Sequence, residues 1–140
     1  MIKIYTDGAC RTSNNSGGWC FVVTKNEEEI CLRTNNLKNT TNNRMEILAA
    51  IKALDYCIAN NIDEVIIVTD SMYVIGTASL GYKRNTNQQL LKQLDDRLEV
   101  IKVNWEHVKG HAGNKFNERC DSYAVISSNI DEGDDDNREE

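Results

Sequence analysis

The spacing of hydrophobic positions changes along the chain in a way that separates strands from helices. At the start, Ile2, Ile4 and Thr6 alternate with Lys3, Tyr5 and Asp7, the period of two expected of a strand, and Gly8 is placed to turn the chain. Trp19 to Thr24 and Ile30 to Thr34 read as two further strands, with a polar turn from Asn26 to Glu29 between them. Their short connections predict an antiparallel meander. From Thr40-Thr41-Asn42-Asn43, which offers several helix caps, the period lengthens, and Ile47, Leu48, Ile51, Leu54 and Ile58 form a stripe running to about Ala59. Glu46, Ala49, Ala50, Ala53 and Cys57 form an adjoining stripe of small residues, which lets a helix come close to a sheet and points the first-turn acid Glu46 toward it.

Glu64 to Asp70 is a nearly continuous apolar run, the pattern of a parallel strand covered on both faces. A helix is predicted from Ser71 to about Ala78 and is broken by Gly81 to Thr86. Asn87 to Leu98 then carries Leu90, Leu91, Leu94 and Leu98 at helical spacing. Ile101 to Val108 reads as a fifth strand, Lys109-Gly110-His111-Ala112-Gly113 as a loop, and Asn114 to about Ser127 as the last helix, with Phe116, Cys120, Tyr123 and Ala124 inward. Asn117 and Asp121 sit one turn apart on that helix. These elements make one α/β domain over residues 1–128, followed by an acidic tail, 129–140, expected to be solvated and disordered.

Composition narrows the class. Of 140 residues, 40% are hydrophobic and 27% charged, ordinary for a globular protein, which argues against disordered and fibrous classes. No apolar run approaches the roughly 18 residues of a membrane span, and no secretory signal pattern opens the chain, so a cytoplasmic location is expected. Cys10, Cys20, Cys31, Cys57 and Cys120 are odd in number and lack a C-x-x-C pair, which speaks for reduced, mostly buried thiols rather than a disulfide framework or a zinc site. The net charge of −6 is uneven. Residues 131–140 hold seven acids and one Arg, a sum of −6, and the rest of the chain balances fifteen acids against fifteen Lys and Arg. If some of those acids hold metal, the surface that meets a partner is effectively basic.

Four elements each deliver one acid at a comparable place: Asp7 in the first strand, Glu46 opening the first long helix, Asp70 closing the buried strand, and Asp121 in the last helix. Taken singly, Asp7 can cap a turn, Glu46 complement a helix dipole, Asp70 cap the following helix, and Asp121 face solvent. Taken together, four neighbouring negative charges repel unless a cation compensates them, and oxygen-only ligands select hard ions such as Mg²⁺ or Mn²⁺. His111, in a glycine-flanked loop, reads equally as a backbone-bonded loop histidine or as a proton shuttle.

Tyr5-Thr6-Asp7-Gly8-Ala9-Cys10, Thr40 to Glu46 (TTNNRME), Thr69-Asp70-Ser71 with Tyr73-Val74, and Val108 to Gly113 with Asn117-Glu118-Arg119-Cys120-Asp121 form an ordered set of motifs. Over Ile2 to Ala124 the chain resembles the type 1, bacterial HI-like, ribonuclease H family. The resemblance implies a five-stranded mixed sheet of order 3-2-1-4-5 with helices on both faces. It also implies hydrolysis of the RNA strand of an RNA–DNA hybrid to 5′-phosphate and 3′-hydroxyl ends using two Mg²⁺ ions, with Mn²⁺ able to substitute; a monomer is the default expectation. Asp7, Glu46, Asp70 and Asp121 become the metal-binding catalytic acids, Asp7 bridging both ions, and His111 the assisting histidine. Asn42, Asn43 and Asn117, with the stretch Cys10 to Ser13 and the adjacent Asn14, become contacts to 2′-hydroxyls across the minor groove. Thr41 and Arg44 are placed near the substrate backbone.

This chain departs from the family pattern in three places. Met72 stands where Gln is frequent, Ser13 where Asn is common, and Gly76 to Asn87 is too short for the basic, tryptophan-bearing handle of many members. Two other readings are a DNA nuclease or strand-transfer domain of the same superfamily and a non-catalytic hybrid-binding module. The complete acid set and the VKGHAG loop count against both. The tail, flexible and at −6, is expected either to compete with substrate phosphates as an electrostatic brake or to serve solubility alone.

Overall fold

The computed structural model describes residues 1–110, 113–130 and 133–138, among which six strands and four helices form. β1 (Ile2–Cys10), β2 (Gly17–Lys25) and β3 (Glu28–Lys38) pair antiparallel as a meander. Asn26 and Glu27, at φ 51° and 65°, supply the left-handed two-residue turn that matches the twist of the β2–β3 hairpin. β4 (Glu64–Thr69) lies parallel to β1, and β5 (Lys102–His107) parallel to β4. The helices are α1 (Asn42–Ala59), α2 (Met72–Ser79), α3 (Gln88–Leu98) and α4 (Lys115–Ser128). Thr41, Ser71 and Asn114 cap α1, α2 and α4, each side chain accepting from the backbone N–H three residues on.

The strand order β5-β4-β1-β2-β3 is the expected one read from the opposite edge, but β6 (Asp134–Asp135) adds a sixth strand beside β3. It comes from the acidic segment expected to be solvated and disordered. Leu37 and Lys38, at the exposed edge of β3, pair with Asp134 and Asp135, and the Asp136 N–H donates to Lys38 O at 2.8 Å. A sheet edge with open backbone groups recruits a strand whatever that strand's side-chain charge, a contribution that charge patterning does not register.

Alternation along the central strands divides the core. Ile4, Trp19, Phe21, Val23, Val65 and Ile67 pack with α1, α2 and α3 on one face, whereas Tyr5, Cys20, Val22 and Val68 pack with Phe116, Cys120 and Ala124 of α4 on the other. On α1 the small-residue stripe is the one pressed flat, with Ala49, Ala50, Ala53 and Cys57 completely buried beside Ile47 and Leu54. Ile58, expected to extend the apolar stripe, is 46% exposed, because Cys57 closes the buried face in the last turn. Trp19 is buried, and Trp105 on the outer strand β5 is only half covered.

Gly8 does not turn the chain. β1 continues through it to Cys10, with Gly8 paired to Trp19. Its lack of a side chain serves a close approach instead: a Cβ there would lie 2.4 Å from the Met45 carbonyl carbon and 2.5 Å from the Glu46 nitrogen. Only glycine lets α1 come this near to β1, and so Gly8 brings Glu46 down beside Asp7.

Candidate active site

Each acid reaches the site by a different structural route. Asp7, 3% exposed, lies in β1 immediately before the glycine that admits α1, and the Gly8 N–H donates to its Oδ1 at 2.9 Å. Glu46, 7% exposed, is the fifth residue of α1, one position beyond the first turn, so an exposed dipole-complementing role does not describe it. Asp70 follows the last residue of β4. The cap of α2 is taken by Ser71, whose Oγ accepts from the Val74 N–H, so Asp70 is not used as a cap. Gly110 passes beside Asp70, where a Cβ would sit 3.0 Å from Oδ2. Asp121 is carried by α4, which is pinned to the sheet one residue earlier: the Cys120 thiol donates to Tyr5 O and Cys20 O at 3.5 and 3.1 Å.

Asp7, Glu46 and Asp70 each offer a carboxylate oxygen, and these oxygens all lie within 4.8 Å of one another. Asp121 stands outside that tight group yet near enough for its charge to act on Asp7. Burial, reinforced by the charges of Asp70 and Asp121, pushes Asp7 up to about 8. Burial, followed by the charges of Asp7 and Asp70, holds Glu46 well above the ordinary carboxylate range. Asp7 Oδ2 and Glu46 Oε1 are buried without a hydrogen-bond partner among the described residues. Two acceptors cannot satisfy each other, so either a shared proton or a cation is required between them. The orphaned oxygens and the all-oxygen donor set therefore fit a hard divalent cation.

The other residues predicted for the site differ in exposure and in partners. Cys10 ends β1, its thiol donating to Thr40 O at 3.5 Å, with burial raising its pKa. Ser13 and Asn14 are exposed on the following loop, where Asn14 Oδ1 accepts from the Ser16 N–H at 3.1 Å. Thr41 is spent as the α1 cap, while Asn42 and Asn43 in the first turn are exposed. Met72 opens α2 and is 39% exposed. Asn117 is 2% exposed, with Oδ1 unpartnered among the described residues. Arg44 is turned inward and 5% exposed: its Nε and Nη2 donate to Asp136 Oδ2 and Oδ1 at 2.8 and 3.2 Å, and Nη1 donates to Asn87 Oδ1 at 3.1 Å. His111 lies outside the described residues. Thr40 belongs to the cap run and the motif already noted, whereas sequence reasoning did not single out Asn87 and Asp136, which bond Arg44. The only available signal was their polarity, which loops share.

The RNase H family model matches residues 1–129. The chain is 38% identical to a ribonuclease H of Treponema denticola, with 89% of this chain and 94% of that protein covered. It is 43% identical to a ribonuclease H of Cyanothece sp., with 89% and 87% covered. The chain belongs to the ribonuclease H family. At 21% identity, the solved RNase H1 of Halobacterium salinarum superposes with a TM-score of 0.80 over 90% of this chain and 96% of that one, a likeness of fold. This chain is thus a ribonuclease H enzyme, a nuclease that binds nucleic acid, and the family's use of a divalent metal agrees with the acid cluster. Among the described residues no helix is long and apolar enough to cross a membrane.

Proposed function

We propose that this ribonuclease H hydrolyses the RNA strand of RNA–DNA hybrids endonucleolytically, leaving 5′-phosphate and 3′-hydroxyl ends, and that it acts as a monomer. The observation that carries the reading is the convergence of Asp7, Glu46 and Asp70 within 4.8 Å, with two buried oxygens left without partners. Asp7, Glu46, Asp70 and Asp121 would hold two Mg²⁺ ions, with Mn²⁺ able to substitute. When bound, such ions supply Lewis-acid stabilisation to the attacking and leaving oxygens of an in-line displacement.

The chain's own residues do the rest. Burial and neighbouring charge raise Asp7 and Glu46, so filling the site with a cation displaces protons from them, which suits activity at neutral to alkaline pH. Asn42 and Asn43, exposed at the α1 N-terminus, and the Cys10 to Asn14 loop offer amide, hydroxyl and backbone groups to 2′-hydroxyls, the feature that separates RNA from DNA. Asn117, nearly buried, offers its unpartnered Oδ1 as an acceptor. Thr41 and Arg44 support the turn that faces the substrate backbone, and Met72 offers an apolar contact where a hydrogen bond is common in relatives. His111 is assigned proton transfer on the grounds of its motif.

The test is incubation in Mg²⁺ with an end-labelled RNA–DNA hybrid, duplex RNA and duplex DNA. Cleavage confined to the RNA strand of the hybrid supports the proposal. Cleavage of duplex DNA points to the DNA-nuclease reading, and binding without cleavage to the non-catalytic one.

A further inference from the structure

We infer that the C-terminal acidic segment is a clamp for the substrate-contacting turn, and that Asp136 is a positioning residue for hybrid binding, acting through Thr40 and Arg44. The inference rests on the proposed hybrid substrate. It reverses the expectation that the tail, as a block of loose charge, competes with the substrate.

The Asp136 carboxylate is committed. Oδ2 accepts from Thr40 Oγ1 at 2.7 Å and from Arg44 Nε at 2.8 Å, while Oδ1 accepts from Arg44 Nη2 at 3.2 Å. The Arg44 and Asp136 side chains are only 6% and 12% exposed, so a substrate phosphate would have to break a covered, two-pronged ion pair to displace this acid. A brake requires an acid that is free to compete, and this one is not.

What Asp136 grips is the junction between the two halves of the proposed contact surface. Thr40, 1% exposed, is used at every polar group: its N–H donates to Asn15 O at 3.0 Å, its carbonyl accepts the Cys10 thiol at 3.5 Å, and its hydroxyl goes to Asp136. Thr40 thereby fastens the loop carrying Ser13 and Asn14 to the start of α1. Arg44 fastens the other side. It lies in the same turn as Asn42 and Asn43 and reaches Asn87 Oδ1 at 3.1 Å, and Asn87 Nδ2 in turn donates to the Tyr73 hydroxyl at 3.1 Å. The Asp136 carboxylate therefore bridges Thr40, which holds the Cys10–Asn14 loop, to Arg44 in the first turn of α1, with α2 and α3 joined through Asn87. β6 holds Asp136 there by its pairing with Leu37 and Lys38.

The neighbouring acids separate this role from charge. Asp134 and Asp135 are exposed, and removing either subtracts the same one negative charge without touching the clamp. KM and kcat on hybrid at low salt are to be measured for wild type, Asp135→Asn, Asp136→Asn, Asp136→Glu and the milder Thr40→Val, each at a temperature where circular dichroism shows it folded. The clamp predicts that Asp136→Asn raises KM about tenfold, the equivalent of about 1.4 kcal/mol, with kcat within about twofold. It predicts partial rescue in Asp136→Glu, a smaller rise in Thr40→Val, and no rise in Asp135→Asn. A fall in KM for both Asp135→Asn and Asp136→Asn would overturn it in favour of a brake. Unchanged KM in Asp136→Asn and Thr40→Val would reduce the contact to one of stability and also overturn it. Wild-type cleavage of the hybrid is the internal reference: its absence defeats the functional reading itself, whereas its presence with unmoved KM values defeats only the clamp.

Discussion

Asp7 and Asp136 are both carboxylates withdrawn from water, and their surroundings are opposite. Asp136 meets the guanidinium of Arg44 and the hydroxyl of Thr40, so its charge is compensated within the fold. Asp7 meets Glu46, Asp70 and the charge of Asp121, and one of its oxygens has no partner among the described residues. A buried acid that the chain supplies with a cation belongs to the architecture. Among the described residues Asp7 and Glu46 are offered no such cation, and their orphaned oxygens fit one taken from solution, which would offset the cost of holding those charges together.

The largest effect expected from breaking this contrast is on catalysis. Asp70→Asn removes one ligand from the cluster and should reduce hybrid cleavage in Mg²⁺ to background, while the metal-free melting temperature holds or rises because repulsion is relieved. Turnover at the wild-type rate would remove Asp70 from the site. The reverse sign is expected at the other carboxylate. Asp136→Ala removes a covered ion-pair partner of Arg44 and should cost about 3 kcal/mol of stability in denaturant titration. A loss below about 1 kcal/mol would place the pair with ordinary exposed bridges, such as Lys92 with Asp96.

A smaller, pH-dependent effect sharpens the comparison. The folded pKa of Asp7 is raised to about 8 from its unfolded value of 3.8, so between these values the folded state binds more protons than the unfolded one. Metal-free stability should therefore fall as pH rises from about 4 toward 8, and Glu46, shifted in the same direction, adds to the slope. Asp7→Asn should flatten this dependence and raise stability at pH 8. A metal-free melting temperature that climbs over the same range, or a slope unaltered in Asp7→Asn, would contradict the assignment.

Most of the fold was legible because its cues are local. The period-two start, the unbroken run from Val65 to Val68, and the cap candidates around Thr41 act within a few residues of where they are read. The candidate acids came from four ordered motifs, and the convergence of three of them, Asp7, Glu46 and Asp70, is a property of packing. What escaped depended on partners distant in sequence. Gly8 looked like a turn because nothing local reveals the helix backbone that lies against it. The inward bond of Arg44 was not legible, because its partner stands 92 residues away in a segment whose charge suggested solvent. That segment was misread because composition counts like charges, whereas the edge of β3 and a single guanidinium decide where it lies.

The central claim is that the Asp7, Glu46 and Asp70 cluster is a cation site completed from solution. Calorimetric titration of the metal-free protein with Mg²⁺ at pH 6 and pH 8 addresses it most directly. Because Asp7 holds its proton up to about pH 8, binding should be saturable, tighter at pH 8, accompanied by proton release at pH 6, and abolished or strongly weakened in Asp7→Asn. Absence of saturable binding, or binding that is the same at both pH values and in the Asp7→Asn protein, would contradict the account.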